Sequence, residues 1–303
     1  SNVAIGSGNA LGANTTASNN VAVGNAALAA NTTGASNIGI GTAALEANTT
    51  ASNNVAVGKG ALAANTTGTR NTAVGSLALD GNTTADYCTA LGYTALGAAN
   101  AANNNTAIGD SCLKLNTTGA NNTGLGQAAL DQNTTGGNNT ALGRGALEVN
   151  TTGGENTAVG ATALDANTTG EQNVAVGDSA LDANTTGDKN TALGRNALLA
   201  NTTADFNVAI GRGAMTNNTT GSYNTAVGTG ALDNPSTADN NTAVGYYSML
   251  MNSTGASNVG IGFRALDANT TGASNTAVGA NALGGNTTAS NNTAVGKGAL
   301  DAN

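Results

Sequence analysis

Acidic side chains recur at a fixed spacing, and stacked carboxylates could either hold a cation or form a solvated edge. Asp131, Glu148, Asp165 and Asp182 follow one another at intervals of 17 residues. Carboxylates stacked about 4.8 Å apart repel unless water or a cation separates them. The Gly-Gly-x-Gly-x-Asp pattern of calcium-binding rolls is absent, so we predict a solvated edge, with no metal and no cofactor. The full set is Glu46, Asp80, Asp131, Glu148, Asp165, Asp182, Asp233, Asp267 and Asp301.

The repeated tripeptide Asn-Thr-Thr or Asn-Ser-Thr suggests a second chemistry, which is covalent modification. Asn-x-Ser/Thr is the acceptor sequence for N-glycosylation, although Asn and Thr are also ordinary turn residues. In a predicted surface turn of a secreted protein, these acceptors would carry a stripe of sugar. The 15 complete copies begin at Asn14, Asn31, Asn48, Asn65, Asn82, Asn116, Asn133, Asn150, Asn167, Asn184, Asn201, Asn218, Asn252, Asn269 and Asn286.

Catalysis is not predicted from this sequence. It has no His and no repeated pairing of a nucleophile with a base, whereas a catalytic site needs unlike groups that converge. The Gly-x-Gly matches at 39–41 and 260–262 follow from a repeat and have no phosphate-loop context.

The elements that position these residues come from a strict 17-residue repeat that runs from Asn20 to Asn292. Its consensus is N-T-A-V-G-x-x-A-L-x-x-N-T-T-G-x-x, and its positions are numbered here from first to seventeenth. The first unit has one extra residue and the last is cut short, which makes a single array of 18 units over residues 1–303. Because the chain starts and stops inside a repeat, we expect it to be a piece of a longer protein.

The absence of drift in the period predicts stacked coils of a solenoid and excludes helices joined by variable loops. Positions one to five are short, β-branched and closed by Gly, which predicts a strand that ends in a corner. The NTTG segment predicts a turn. The segment around ALDAN is either a second strand or a helical turn, and we favour the strand. The predicted fold is an all-β parallel β-solenoid.

Residue size predicts the core of each coil. The fourth position is Val, Ile or Leu and the ninth is Leu or Met, so both are expected to point inward, with small residues at the third and eighth. The twelfth position is Asn except at Ala99 and Pro235, which predicts a ladder of stacked amides. One Val and one Leu per coil are a thin core against the entropy of ordering 17 residues. We therefore expect tubes to associate with copies of themselves, as a trimer or a fibre.

Less regular residues give weaker signals. The seven aromatic residues avoid the predicted core positions and suggest surface or inter-chain packing, with sugar stacking as the alternative. Arg and Lys recur at the sixth position, where weak pairing with acids at the tenth is expected.

Cys88 at a first position and Cys112 at an eighth are too far apart around a coil for a disulfide bridge. Cys112 is expected in the core, whereas Cys88 is either free or joins chains.

Composition and charge limit the partners. The formal net charge is −8 and charged residues are 9% of the chain, so no basic surface for nucleic acid is predicted. No apolar run approaches the roughly 18–20 residues of a membrane span.

The core phrase resembles the head repeats of trimeric autotransporter adhesins. NVAIG at 207–211 and NTAIG at 105–109 carry the resemblance, which implies a left-handed parallel β-roll. That family's unit is typically about 14 residues, and here an added NTT turn makes it longer. The 17-residue form is also similar to NTAVG and NTTG arrays of microbial or viral surface and tail-fibre-like proteins.

These observations predict an extracellular or cell-surface structural fibre, or an adhesin shaft, that presents a repetitive surface. Its expected partners are copies of itself, and glycans or a host surface are further candidates. The alternative function is an ice-binding β-solenoid that uses the stacked Thr of the thirteenth and fourteenth positions.

Overall fold

The computed structural model describes residues 1–98, 102–235 and 237–301. Across these residues the chain contains 18 three-residue strands and no helix. It divides into two compact units, Ser1–Gly154 and Glu155–Asn303. The first unit carries β1 Val3–Ile5, β2 Val21–Val23, β3 Ile38–Ile40, β4 Val55–Val57, β5 Thr72–Val74, β6 Thr89–Leu91, β7 Thr106–Ile108, β8 Thr123–Leu125 and β9 Thr140–Leu142. The second carries β10 Thr157–Val159, β11 Val174–Val176, β12 Thr191–Leu193, β13 Val208–Ile210, β14 Thr225–Val227, β15 Thr242–Val244, β16 Val259–Ile261, β17 Thr276–Val278 and β18 Thr293–Val295.

Within each unit, every strand pairs in parallel with the strand of the next coil. Equivalent positions of the repeat lie opposite each other, as in Thr106 with Thr123 and Thr123 with Thr140. A one-residue slip would turn every side chain to the other face, so this register is what the strict period encodes. The prediction of a parallel β-solenoid of 17-residue coils is confirmed.

Glycine at the fifth position makes the corner after each strand. Gly109 has φ 142°, a backbone conformation that residues with a Cβ atom rarely adopt. A Cβ on Gly109 would also collide with the carbonyl oxygen of Gly126 in the next coil. The corner therefore needs Gly for its backbone angle and for the close approach of the neighbouring coil.

The predicted second strand is wrong, and so is the helical turn that was its alternative. Ala26 to Ala30 form consecutive tight turns, with Asn31 N–H donating to the Leu28 carbonyl at 3.2 Å. Ala26 and Leu28 have φ of 56° and 53°, which alternates the direction of the backbone. Other N–H groups bond to the next coil, for example Leu28 N–H to Ala44 O at 2.9 Å. The segment thus stacks like a strand without being extended.

The prediction that the fourth position points inward is also wrong. Leu142 is 43% exposed, whereas Ala141 beside it is fully buried. Side chains alternate along a strand, so a buried third position forces the second and fourth outward. The interior beneath the strand is narrow, and only Ala or Gly fits there because the ninth-position Leu already fills the coil.

The core therefore consists of Ala at the third and eighth positions, Leu or Met at the ninth, and two columns of Asn. In the coil that begins at Asn122, Ala129, Leu130 and Asn133 are all fully buried. The predictions for the eighth and ninth positions are confirmed.

Two Asn ladders supply hydrogen bonds along the core, and the predicted ladder at the twelfth position is confirmed. Asn133 Nδ2 donates to Asn116 Oδ1 at 2.8 Å and to the Gly136 carbonyl at 2.9 Å. At the first position, the Asn122 backbone N–H donates to Asn105 Oδ1 at 2.9 Å and its Nδ2 to Gly136 O at 2.9 Å. Pro235 cannot donate to this ladder, and Asn218 Oδ1 in the preceding coil is buried with no partner among the described residues. Ala99, the other exception, lies outside the described residues.

Candidate binding face

The outer side of the strands forms the most regular surface of each unit. This surface, the sheet face, consists of the side chains at the second and fourth positions of each repeat, which are the first and last residues of each strand. In the first unit Ile40, Leu91, Leu125 and Leu142 are between 39% and 45% exposed, although each belongs to a strongly apolar type. The fourth position therefore forms a column of partly exposed aliphatic side chains along the unit.

The second position adds hydroxyl groups to this face. In five consecutive coils of the first unit it is Thr, and Thr123 and Thr140 are exposed. Their backbones are held in register by the parallel pairing, so the hydroxyls repeat at the coil spacing of about 4.8 Å. The face thus combines a Thr column with an aliphatic column. The sequence analysis did not identify the Thr column, because it placed the fourth position in the core. Side chains alternate along a strand, so an outward fourth position also places the second-position Thr outward.

The NTT segments lie differently from the prediction of an open surface turn. The 14 candidate acceptors from Asn31 to Asn286 are fully buried, and Asn14 at the end is half-buried. Their amide groups form the hydrogen bonds of the twelfth-position ladder. For example, Asn48 Nδ2 donates to Asn31 Oδ1 at 2.9 Å. A sugar on Nδ2 would have to open the coil, so glycosylation stays a prediction that the folded geometry disfavours at these Asn.

The two Thr of the NTT segment have separate roles. Thr134 Oγ1 donates to the Thr151 carbonyl at 3.0 Å, which repeats at the thirteenth position of other coils. Thr135 at the fourteenth position is exposed. The thirteenth-position hydroxyl is therefore engaged by the next coil, and only the fourteenth-position Thr presents its side chain to solvent.

The acidic column at the tenth position is partly desolvated. Burial raises the pKa of Asp80, Asp131, Asp182 and Asp267 above its ordinary value. For Asp131, Lys114 opposes this effect and Asp110 adds to it. Within the described residues, no three His, Cys, Asp or Glu side chains form a group that could hold a metal ion.

Two ion pairs in the described residues join positions other than the predicted sixth and tenth. Arg195 Nε lies 3.3 Å from Asp178 Oδ2, and both belong to the sixth position of neighbouring coils. A second pair joins Arg264, at a seventh position, to Asp267 at 3.8 Å. The pair of Arg195 and Asp178 is solvent-exposed and contributes little to stability. In the second pair, the Asp267 side chain is 24% exposed.

The aromatic residues lie outside the core, as predicted, and form small stacks in the second unit. The rings of Phe206 and Tyr223 are parallel with centroids 5.1 Å apart, and those of Tyr246 and Phe263 are 5.7 Å apart. Tyr247 contacts Tyr246 with a centroid distance of 4.0 Å. Inter-coil stacking accounts for these residues, because equivalent positions of adjacent coils lie within reach of large side chains.

The two cysteines are buried and form no disulfide. Cys112 occupies the core as predicted, and burial raises the pKa of its thiol to about 12. The Cys88 Sγ lies 3.4 Å from the Ala102 carbonyl. In other coils the first-position Asn amide donates to the equivalent carbonyl, as Asn105 does to Gly119. A thiol in that place is inaccessible to another chain while the coil is folded.

The fold and the sheet face define a β-solenoid repeat protein with a regular, partly apolar surface. No family model matches the chain, and no curated protein matches it significantly. Over the described part of the chain, no helix has the length and hydropathy to cross a membrane.

Proposed function

We propose that the chain is a segment of an extracellular structural fibre or adhesin shaft, and that its sheet face packs against copies of itself. The observation that supports this proposal is the exposure of the fourth position, which is Val, Ile or Leu in every coil. A soluble monomer rarely keeps a contiguous apolar surface of this regularity. Burying it against another copy would also supply hydrophobic stabilisation that the thin interior lacks.

Self-association is tested by replacing Leu on the sheet face. The double variant Leu91→Glu and Leu125→Glu places charges on the face and should convert an oligomer to monomer in light scattering. The control is Leu115→Glu, because Leu115 is equally exposed at 45% but lies at the eleventh position, off the face. A parent chain that is a folded monomer at all concentrations would contradict the proposal.

Ice binding is the second candidate, and the Thr column of the sheet face favours it. A parallel sheet holds these Thr in register: Thr72, Thr89, Thr106, Thr123 and Thr140. This location replaces the NTT segment, whose thirteenth-position hydroxyls are engaged by the next coil. A measurement of thermal hysteresis separates the two candidates. An ice-binding face depresses the freezing point beyond the colligative effect, and the double variant Thr106→Lys and Thr123→Lys should abolish that depression. A fibre segment without ice binding gives no thermal hysteresis.

A further inference from the structure

The two columns of the sheet face differ in chemistry and lie at opposite ends of each strand. In β5 to β9 the first residue is Thr and the last is Val, Ile or Leu. Hydroxyls at the thirteenth position bond to the next coil, as that of Thr134 does at 3.0 Å, whereas the second-position Thr123 and Thr140 are exposed. A hydroxyl that is covered without a hydrogen bond costs free energy. A surface that covers the face must therefore offer polar partners to one column and apolar contacts to the other.

Two-fold symmetry allows two ways of packing this face on a second copy. If the coils of both copies stack in the same direction, the two-fold axis runs along the stack. It then sets the second-position column of one copy on the fourth-position column of the other, and a trimer around such an axis has the same mismatch. If the coils stack in opposite directions, the axis runs along the strands and sets each column on its own kind. Only this antiparallel arrangement covers aliphatic side chains with aliphatic ones and pairs Thr hydroxyls with Thr hydroxyls.

The charges at the rim of the face also suit antiparallel packing. The sixth position follows the corner glycine and borders the aliphatic column, so antiparallel packing sets the two sixth-position columns beside each other in opposite directions. Arg195 and Arg212 occupy this position in successive coils of the second unit, and like charges on adjacent coils repel. Asp110 is the only sixth-position acid of the first unit. Placed between the two guanidinium groups of the other copy, its carboxylate offsets their repulsion.

The register that places Asp110 between the two arginines also matches the large side chains farther along the column. A step toward the start of one chain is a step toward the end of the other. Lys59, three coils before Asp110, therefore lies between Tyr246 and Phe263, three coils after the arginines. These rings are stacked with centroids 5.7 Å apart and are about half exposed. The aliphatic stem of Lys59 covers their edges.

The same register pairs the remaining charges near the middle of the column. Asp178, one coil before Arg195, lies between Gln127 and Arg144 of the other copy. Because Asp178 already contacts Arg195 of its own chain at 3.3 Å, the added arginine extends an existing ion pair. No two like charges of different copies meet at the sixth position in this register.

We infer that two copies associate through their sheet faces in antiparallel orientation, the first unit of each copy on the second unit of the other. The inference rests on the proposed self-association and names its partner as a second copy with its coils stacked in the opposite direction. A three-residue strand is about 10 Å long, and nine strands at about 4.8 Å each extend over about 43 Å. The face of one unit thus covers about 430 Å², whereas a stable interface buries about 800 Å² on each partner. Both units of each copy must therefore take part.

The test is chemical crosslinking of full chains that carry one cysteine each. The natural cysteines are first replaced by the consensus residues of their positions, Cys88→Asn and Cys112→Ala. Ser76→Cys and Thr229→Cys then place single thiols at the sixth position of two coils that the antiparallel register brings together. We expect a short bismaleimide to couple these two variants when they are mixed and exchange subunits, and to couple neither variant alone.

A second pair of variants reports the rival arrangement. Same-direction stacking sets the sixth-position column beside the seventeenth-position column, so it would couple Ser76→Cys with Arg70→Cys. An oligomer that does not couple Ser76→Cys with Thr229→Cys would overturn the inference and leave the proposed self-association standing, whether or not the second pair couples. A parent chain that stays monomeric in light scattering would overturn both.

The rim charges give an independent measurement. Asp110→Arg should weaken the dimer about tenfold or more in analytical ultracentrifugation, because it faces two arginines and symmetry repeats the contact. Glu46→Arg makes the same change of charge at an exposed tenth position, away from the sheet face, and should leave the affinity of the dimer unchanged. Equal effects of the two substitutions would contradict the inference.

Discussion

Asparagine is the residue on which this molecule depends most. Each twelfth-position side chain both donates to and accepts from its neighbours in the interior: Asn133 donates to Asn116 Oδ1 at 2.8 Å and accepts from Asn150 Nδ2 at 2.7 Å. Burying an amide is favourable only when its hydrogen bonds are satisfied, and the stacking of identical coils satisfies them without any other polar residue.

We therefore predict that Asn133→Ala lowers the free energy of unfolding by about 3 kcal/mol or more. The substitution removes the Asn133 donor from Asn116 Oδ1, and a buried group that stays unsatisfied costs about 1–3 kcal/mol. The Gly136 carbonyl and Asn150 Nδ2 each lose one of two hydrogen bonds, at about 0.5–1.5 kcal/mol per bond. Chemical denaturation measures the change. The control is Thr135→Ala, two residues away and exposed, which should cost under about 0.5 kcal/mol.

A second residue-scale feature is the left-handed backbone of non-glycine residues. The seventh, ninth and seventeenth positions have φ between about 50° and 65° in coil after coil, as in Ala128 at 57°, Leu130 at 56° and Asn138 at 61°. For residues other than Gly, this region costs roughly 1–2 kcal/mol each. Inter-coil hydrogen bonds and the burial of Leu hold the chain in it.

Relief of this strain should be measurable at Ala128, which has no long side chain to lose. Ala128→Gly should raise the free energy of unfolding by about 0.5–1 kcal/mol, because Gly adopts positive φ readily. Ala129→Gly next to it should lower the stability, because Ala129 is buried and its φ is not positive. Thermal melts that order the two variants the other way would contradict this account.

At the scale of the element, each coil has one short strand and one stack of turns, and the two differ in how they meet solvent. The strand exposes every second side chain and buries Ala. The turn segment buries Ala and Leu at successive positions and leaves the tenth-position acids at its edge, where they are partly desolvated.

Desolvation of the acids gives a pH-dependent stability with a defined sign. Burial raises the pKa of Asp182 in the folded state, and Asp178 raises it further. The folded state therefore binds the proton more tightly than the unfolded state, so this group's contribution falls as pH rises above the ordinary value of 3.8. We predict that Asp182→Asn is more stable than the parent at pH 7.

The advantage of Asp182→Asn should vanish below about pH 3.8, where the parent carboxyl is neutral in both states. Melting temperatures of both proteins across pH 3–7 measure this difference. Glu171→Gln at an exposed position is the control and should follow the parent. A constant advantage of Asp182→Asn at all pH values would show that desolvation is not its cause.

At the scale of the whole molecule, each coil contacts chiefly its neighbours, so stability should be close to a sum over equivalent coils. Deleting 122–138 removes one period within the first unit and would place Thr140 where Thr123 pairs with Thr106. Deleting only 122–129 would place Leu130 at a first position, where a buried Asn belongs. We predict that the first variant unfolds cooperatively near the parent's melting temperature.

The shorter deletion should lose cooperative unfolding, because buried Leu and turn Thr exchange places across the junction, at several kcal/mol per error. Circular dichroism during a thermal melt distinguishes the two variants. Equal melting behaviour would show that the 17-residue period is not the structural coil.

The sequence alone was sufficient for the solenoid, its period, the buried eighth and ninth positions and the twelfth-position ladder. These features follow from a period without drift and from residue types that have one good use in a stacked coil. The acceptor sequences and the acidic column were also visible, but their accessibility was not. Asn is common both in surface turns and in buried ladders, and its type does not distinguish the two.

The tertiary structure decided which way the strand faces and how the ALDAN segment turns. Apolar character predicted an inward fourth position, but the space inside a coil is limited. The ninth-position Leu side chains fill most of it, so the third position holds only Ala or Gly. At Gly124 even a Cβ would collide with Cys112 Sγ of the preceding coil. Once the third position is inward, alternation sends Leu125 outward.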